Sequence, residues 1–166
     1  NGYGNKYIHQ NDRLFFNNFI KKNPMNSKEL FGEIIMEGGN IINSTRDYIF
    51  NKNPIAAHNS LSWSEVKKEI KLLFSKSMHG DCYFINIKPL TGDDTNGHID
   101  NLVRFKDDKH ILYMSTDDKN HPDYEKLKKL ENQLAILITQ TNDISFMTPI
   151  NHTCNDLVRN KSGSIL

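Results

Sequence analysis

Three carboxylates and one imidazole lie within eight positions of the sequence, in a segment that reads T-G-D-D-T-N-G-H-I-D-N (91–101). His98 and Asp100 are two residues apart, and in an extended backbone such residues point to the same face. A histidine beside carboxylates is suited to proton transfer. Gly97, just before them, permits backbone angles or close approaches that other residues avoid. The spacing is therefore compatible with one half of an acid/base site.

Two other interpretations fit the same segment. Asp, Asn, Thr and Gly are common turn residues, so D-D-T-N-G by itself predicts a polar turn, and spacing alone favours that turn over any site. Asp93, His98 and Asp100 could also supply mixed nitrogen and oxygen ligands to a metal ion. The metal interpretation ranks below the turn, because zinc sites usually draw on more than one His or Cys and no second His lies at the usual spacing.

A second candidate segment is Glu37-Gly38-Gly39, an acid followed by two glycines at the end of a predicted strand. Such a segment can present a carboxylate over an open cavity. A strand that ends in an ordinary glycine turn has the same pattern. Taken alone, this segment does not distinguish a catalytic acid from a turn.

The elements that must position both segments alternate between strands and helices. Strands are predicted at 33–37, 40–42, 47–50, 82–87, 101–105, 110–114 and 144–147, with turns at 43–46 and 107–108. Helices are predicted at about 12–22, after the capping box formed by Ser62 and Glu65, and from Pro122 onward. This order predicts an α/β or α+β fold. The expected buried faces of the two later helices are Val66, Ile70, Leu73 and Phe74, and Leu127, Leu130, Leu134 and Leu137.

Composition narrows the classes of function. The 166 residues suit one domain. The chain has 21 Lys+Arg against 20 Asp+Glu, and a formal net charge of +1 argues against a nucleic-acid partner. Mean hydropathy is -0.62, and no apolar run is long enough to span a membrane. Two cysteines, Cys82 and Cys154, are too few for a disulfide framework and favour a reducing, cytoplasmic compartment.

Three blocks, in the same order, resemble the agmatine deiminase family and the related bacterial peptidylarginine deiminases. They are M-E-G-G-N-I (36–41), N-K-N-P (51–54) and G-D-D-T-N-G-H-I-D-N-L-V-R-F (92–105), and the opening N-G-Y-G-N-K-Y is similar to the family's N-G-W-G-x-K-Y. The resemblance implies the pentein fold, a pseudo-symmetric α/β propeller of about five ββαβ-type units. We expect this chain to supply roughly the middle two or three units. Residues 1–166 would then be a single partial deiminase domain that lacks the family's N-terminal and C-terminal parts.

The resemblance implies hydrolysis of a guanidinium group, agmatine giving N-carbamoylputrescine and ammonia. Citrullination of peptidyl-arginine is the close alternative, and a non-catalytic fragment is another. In the family a cysteine thiolate attacks the guanidinium carbon, ammonia leaves, and water resolves the thiouronium adduct. His98 matches the general acid/base, Asp100 the carboxylate that grips the guanidinium, and Glu37 the acid that orients the histidine. Asp94, in the same motif, is a further candidate for substrate binding.

Two motifs of the family are absent from the chain, which departs from the pattern there. One carries a second substrate-binding aspartate (W-x-R-D-x-G-P), and the other carries the nucleophile (G-G-x-x-H-C). Cys154 lies in N-H-T-C-N-D and Cys82 in a predicted strand, so both are predicted to be buried small hydrophobes. We therefore expect the nucleophile outside this chain and no activity from the chain alone. The resemblance implies no cofactor and no metal, a guanidinium compound as partner, and leaves a homo-oligomer open.

Overall fold

The computed structural model describes residues 34–57 and 61–151. Ten strands and helices and two 3₁₀ turns follow one another along these ranges. They are β1 (Ile34–Ile35), a 3₁₀ turn (Gly38–Asn40), β2 (Ile41–Asn43), β3 (Asp47–Asn51), β4 (Ala56–Ala57), α1 (Trp63–Ser77), β5 (Asp81–Ile85), a second 3₁₀ turn (Ile99–Asn101), β6 (Val103–Asp107), β7 (His110–Ser115), α2 (Tyr124–Gln140) and β8 (Phe146–Asn151).

Two ββαβ units of identical topology make up most of the described chain. In the first, β2 and β3 form an antiparallel hairpin, and α1 crosses over to place β5 parallel to β3. In the second, β6 and β7 form the hairpin, and α2 places β8 parallel to β7. β1 and β4 form a separate antiparallel pair. Parallel neighbours require such a crossover, so the predicted mixture of hairpins and helical crossovers is confirmed.

Helix α1 begins at the capping box that the sequence predicts. The Ser62 Oγ accepts a hydrogen bond from the Glu65 backbone N–H (3.3 Å), and Glu65 Oε2 accepts one from the Ser62 N–H (2.7 Å). Val66, Ile70 and Phe74 are buried on one face, and they pack against the first sheet. The predicted apolar face is therefore confirmed, with Leu73 half-buried at its margin.

Strand β3 is the centre of the fold because both of its faces are covered. Tyr48 and Phe50 pack with α1, whereas Ile49 belongs to the larger core that α2 completes. All five residues of β3 are buried, as is typical of a strand with a packed layer on each side. The predicted face of α2 is confirmed, because its four leucines are all buried. These leucines are Leu127, Leu130, Leu134 and Leu137.

Several predicted boundaries differ from the structure for local reasons. Helix α2 begins at Tyr124 rather than at Pro122, because residues 121–124 form a turn in which the Tyr124 N–H donates to the His121 carbonyl (3.0 Å). The strand predicted to reach residue 87 ends at Ile85, because the backbone of Ile87 bonds to an asparagine side chain instead.

The remaining differences are smaller. Of the strand predicted at 33–37, the described residues form β1 at Ile34–Ile35, which ends shortly before the 3₁₀ turn at Gly38–Asn40. The strand predicted from residue 101 begins at Val103, because the second 3₁₀ turn extends to Asn101. In the second hairpin Asp107 pairs with His110, so the turn lies one residue later than the predicted 107–108. The last strand is Phe146–Asn151 and not the predicted 144–147. The helix predicted at 12–22 lies outside the described residues. No helix within the described ranges is long and apolar enough to cross a membrane.

Asp47, at the start of β3, is a buried carboxylate. It is 2% exposed, and within the described part of the chain its Oδ2 atom is buried without a hydrogen-bond partner. Burial raises its pKa above the ordinary 3.8, and the carboxylates of Asp143, Asp81 and Asp108 add to the rise. The folded state therefore binds the proton more tightly than the unfolded state. Stability is lost as the pH rises from the unfolded value through the raised folded pKa.

We expect Asp47→Asn to raise the free energy of unfolding at pH 7 and to flatten its decline above about pH 4. The amide removes the buried charge while keeping the shape of the side chain. Urea denaturation of the purified chain at several pH values measures both effects. Asp117→Asn, which removes the same charge from a largely exposed side chain, should change stability by less than about 0.5 kcal/mol. An Asp47→Asn protein less stable than wild type at pH 7 would contradict the prediction.

Candidate active site

Glu37 and His98 are in direct contact although 61 residues separate them in sequence. Glu37 Oε2 meets His98 Nε2, and both side chains are about 10% exposed. Each residue immediately precedes one of the 3₁₀ turns, and the two turns face each other. The structure thus brings together the two candidate segments that the sequence indicates separately.

Gly39 lies against both His98 and Asp100. A Cβ atom added to Gly39 would overlap His98 Nδ1 and would come within 3.1 Å of Asp100 Oδ2. The same atom on Gly38 would meet nothing within 4 Å. Of the two glycines, it is therefore Gly39 that close packing requires. His98 Nδ1 and Asp100 Oδ2 both face its backbone, so they lie on the same side of the site.

Asp100 is held at the edge of the site by its apolar neighbours. Ile99 and Leu102 are 0% and 2% exposed and anchor the second 3₁₀ turn in the core. The Asp100 side chain remains 26% exposed, and its Oδ2 lies 3.5 Å from Arg104 Nη2. Asp100 is thus fixed through its backbone, while its carboxylate stays accessible to a solute.

Two fully buried asparagines join the segments that carry these side chains. Asn40 Nδ2 donates to the Asn51 carbonyl (2.7 Å), and the Asn51 N–H donates to Asn40 Oδ1 (3.1 Å). Asn51 Nδ2 then donates to the carbonyls of Ile87 (2.8 Å) and Gly97 (2.7 Å), and the Ile87 N–H donates to Asn51 Oδ1 (3.0 Å). Asn40 follows the glycine pair and Gly97 precedes the histidine. The network therefore sets the distance between the two halves of the site.

Thr95 organises the loop that leads into the histidine. Its backbone N–H and its hydroxyl both donate to Asp93 Oδ1 (2.7 and 2.6 Å). Its Oγ1 accepts from the His98 N–H and from Asn101 Nδ2, both at 3.2 Å. The D-D-T-N-G segment is therefore a polar turn, as spacing predicts, and the same turn holds the backbone of His98.

The backbone of this loop also depends on left-handed residues. Asn96 has φ 65° and Gly97 has φ 84°, a region that Asn and Gly adopt more readily than other residues. Asp94 is exposed in the same loop, and its part in substrate binding stays a prediction. Asp93, whose Oδ1 is engaged by Thr95, does not join His98 and Asp100 as a metal ligand. Within the described ranges, no three His, Cys, Asp or Glu residues are arranged to hold a metal ion.

Cys82 is not placed as a nucleophile. It is 4% exposed in the core between β5 and α1, and burial raises the pKa of its thiol to about 12, with Asp81 adding to the rise and Lys71 opposing it. The prediction that Cys82 is a buried small hydrophobe is confirmed. Cys154 lies outside the described residues.

The comparison with known families is decisive for the class of protein. A family model described as Porphyromonas-type peptidyl-arginine deiminase matches residues 1–156. The chain belongs to this deiminase family. An agmatine deiminase of Medicago truncatula is 30% identical over 103 residues, which cover 57% of this deiminase chain and 24% of the plant protein.

Solved structures show the fold of the deiminase chain. The C. jejuni agmatine deiminase with substrate bound superposes with a TM-score of 0.65 at 21% identity, over 90% of this chain and 43% of that one. The Enterococcus faecalis agmatine deiminase gives 0.63 at 14% identity, over 90% and 40%. These neighbours have the pentein fold, so the predicted fold class is confirmed. The deiminase chain spans less than half the length of these solved relatives and about a quarter of the curated one.

The asparagine pair is the part of the site that sequence reasoning missed. Asn40 and Asn51 both fall within the blocks that resemble the family, yet nothing in their type marks them as buried. The available signal was a polar residue directly after the apolar run of β3 (D-Y-I-F-N). Such a position indicates a side chain that bonds to backbone groups of a neighbouring segment.

We expect Asn51→Ala to lower the free energy of unfolding by at least about 2 kcal/mol, because it leaves the Ile87 N–H and the Gly97 carbonyl without their partner. The Ile87 carbonyl keeps the Asn53 amide. Urea denaturation of the purified chain measures the loss. Asn43→Ala is the matched control, because Asn43 is exposed and makes a local bond to the next residue. Equal effects of the two substitutions would refute the proposed importance of the network.

Gly39→Ala should displace the His98 imidazole and shift the Asp100 carboxylate, because the added methyl group would overlap His98 Nδ1 and would lie only 3.1 Å from Asp100 Oδ2. Gly38→Ala, one residue earlier, should leave them in place. The imidazole resonances of His98 in the NMR spectrum measure the displacement, and a change of similar size in both variants would contradict the assignment.

Proposed function

We propose that this chain carries the acid/base and guanidinium-binding half of a deiminase site, and that the protein hydrolyses agmatine to N-carbamoylputrescine and ammonia. The observation that carries the proposal is the contact between Glu37 and His98, with Asp100 beside them across the backbone of Gly39. Family membership supports it, and so does the similarity to the Medicago truncatula agmatine deiminase.

Asp100 is proposed to bind the substrate. A guanidinium is a planar fork of N–H donors, and a carboxylate accepts two of them in parallel. The 26% exposure of the Asp100 side chain leaves its oxygens accessible. The negative charge also favours a cationic substrate over its neutral urea-type product, which helps the product to leave.

His98 is proposed to move the protons. Its Nε2 is held by Glu37, so Nδ1, which lies beside Gly39 on the side of Asp100, is proposed as the nitrogen that exchanges protons with the substrate. A carboxylate that is hydrogen-bonded to one ring nitrogen fixes the orientation and the tautomer of an imidazole. Glu37 is therefore proposed as the acid that orients the histidine.

The covalent step is proposed from the family resemblance. A thiolate from outside the described residues attacks the central guanidinium carbon and forms a C–S bond. His98 gives a proton to the departing nitrogen, which leaves as ammonia. A water molecule then adds to the same carbon and loses one proton to His98. As the carbonyl of the product forms, the C–S bond breaks to return the thiolate, and the remaining hydroxyl proton passes to solvent. Cys82 cannot supply that thiolate, because its thiol is buried and neutral.

Peptidyl-arginine is the second candidate substrate, because the matching family model is described by that activity. Glu37, His98 and Asp100 would contact only the guanidinium end, which both substrates share. The choice between them therefore depends on residues outside this constellation. A part in putrescine synthesis, a cytoplasmic location, a homo-oligomeric state and a single partial domain over 1–166 are further proposals that rest on the sequence.

The proposal is tested by measuring ammonia release by the protein that the full reading frame encodes. The substrates are agmatine, arginine and a peptidyl-arginine compound. We expect turnover of agmatine, and a loss of about 10²–10⁴-fold in both His98→Ala and Asp100→Ala. Glu37→Gln should lose less than His98→Ala. His110→Ala removes a histidine that bonds to Thr148 away from this site and should keep the wild-type rate. Undiminished turnover by His98→Ala would refute the proposed role of His98.

The same assay on the 166-residue chain alone should give no turnover. Its described half of the site holds an acid/base pair and a carboxylate but no accessible thiol. Appreciable turnover that Cys154→Ser abolishes would show that the nucleophile lies within this chain.

A further inference from the structure

Arg104 lies beside the carboxylate that is proposed to grip the substrate. It is on β6, four residues after Asp100, and its Nη2 is 3.5 Å from Asp100 Oδ2. The Arg104 side chain is 64% exposed. The chain therefore places a guanidinium group of its own against the carboxylate that a substrate guanidinium would need.

The two guanidinium groups would meet at the same oxygen. Asp100 Oδ2 faces Gly39, which it shares with His98 Nδ1, so it is the oxygen on the side of the imidazole. A guanidinium group whose carbon reacts next to His98 would direct one of its N–H groups at this oxygen. Bidentate hydrogen bonding of a guanidinium requires both carboxylate oxygens of Asp100, and Arg104 already lies at one of them.

We infer that Arg104 is an internal competitor for the substrate guanidinium, an inference that rests on the proposed function. Arg104 forms an ion pair with Asp100 Oδ2, and a bound guanidinium would displace it. Arg104 thereby weakens the binding of cations at Asp100, since a ligand must replace an ion pair that the protein already makes. It sets the affinity for the substrate through Asp100, and it takes no part in the proton transfers.

The exposure of the pair sets the size of the effect. Ion pairs between exposed groups contribute little stability, because solvent screens them and two long side chains lose freedom. Arg104 can therefore leave Asp100 at small cost and can move into solvent. Its removal should strengthen guanidinium binding by about two- to fivefold, which corresponds to the upper part of the range for such pairs.

Calorimetric titration with agmatine tests the inference in the full reading frame, with His98→Ala present to block turnover. We expect Arg104→Gln to lower the Kd about two- to fivefold, and Arg104→Lys to give a value between those of Arg104→Gln and the arginine protein. Lys106→Gln is the matched control, because this substitution also removes one positive charge. Lys106 is exposed and lies two residues after Arg104 on the same strand. Its effect on the Kd should be smaller than that of Arg104→Gln.

Steady-state kinetics distinguish competition by Arg104 from a structural role of Arg104. With His98 intact, Arg104→Gln should lower KM for agmatine and leave kcat unchanged, which a structural role would not produce. Weaker agmatine binding in Arg104→Gln, or an equal gain in Lys106→Gln, would overturn the inference while the proposed function stands. Absence of agmatine binding and turnover in the wild-type protein would overturn the proposed function, and the competition by Arg104 with it.

Discussion

The buried amide pair of Asn40 and Asn51 is the constraint on which the rest of this site depends. Each amide is fully buried, so each must find its hydrogen-bond partners inside the protein. The partners it finds are backbone groups of three different segments: the end of β3, the stretch after β5, and the loop before the histidine. The geometry of Glu37 and His98 follows, because the segments that carry them cannot shift without breaking these bonds.

Around the two asparagines, the solvent exposure of the side chains increases from the Glu37–His98 contact outward. The contact between Glu37 and His98 is nearly enclosed, which protects its orientation from solvent. Asp100 is partly open, and Arg104 beyond it is largely open. A solute would therefore meet a weakly paired carboxylate first and the imidazole behind it. Strong electrostatic contacts lie where the geometry must be held, and weak ones lie where a ligand must enter.

The repeated ββαβ unit explains where the site lies. The loop that carries the histidine connects the first unit to the second, and the glutamate enters just ahead of the first. Each unit buries its helix on a three-stranded sheet, so the chemistry is left to the connections between units. Cys82 belongs to the interior of one unit, and its thiol is kept neutral there for the same packing reason.

The sequence alone determined the order of the described helices and of the strands other than the short β4 (Ala56–Ala57), which was not predicted. It also determined the two apolar helix faces, the capping box at Ser62 and the motifs that mark the deiminase family, because these depend on local periodicity and residue type. Only the tertiary structure decided that Glu37 meets His98, that Gly39 rather than Gly38 must lack a side chain, and that Arg104 shares an oxygen of Asp100. Those facts depend on contacts between segments far apart in the chain. The hydrogen bonds of the buried Asn40 and Asn51 amides set these contacts, and local sequence does not tell which distant backbone groups are their partners.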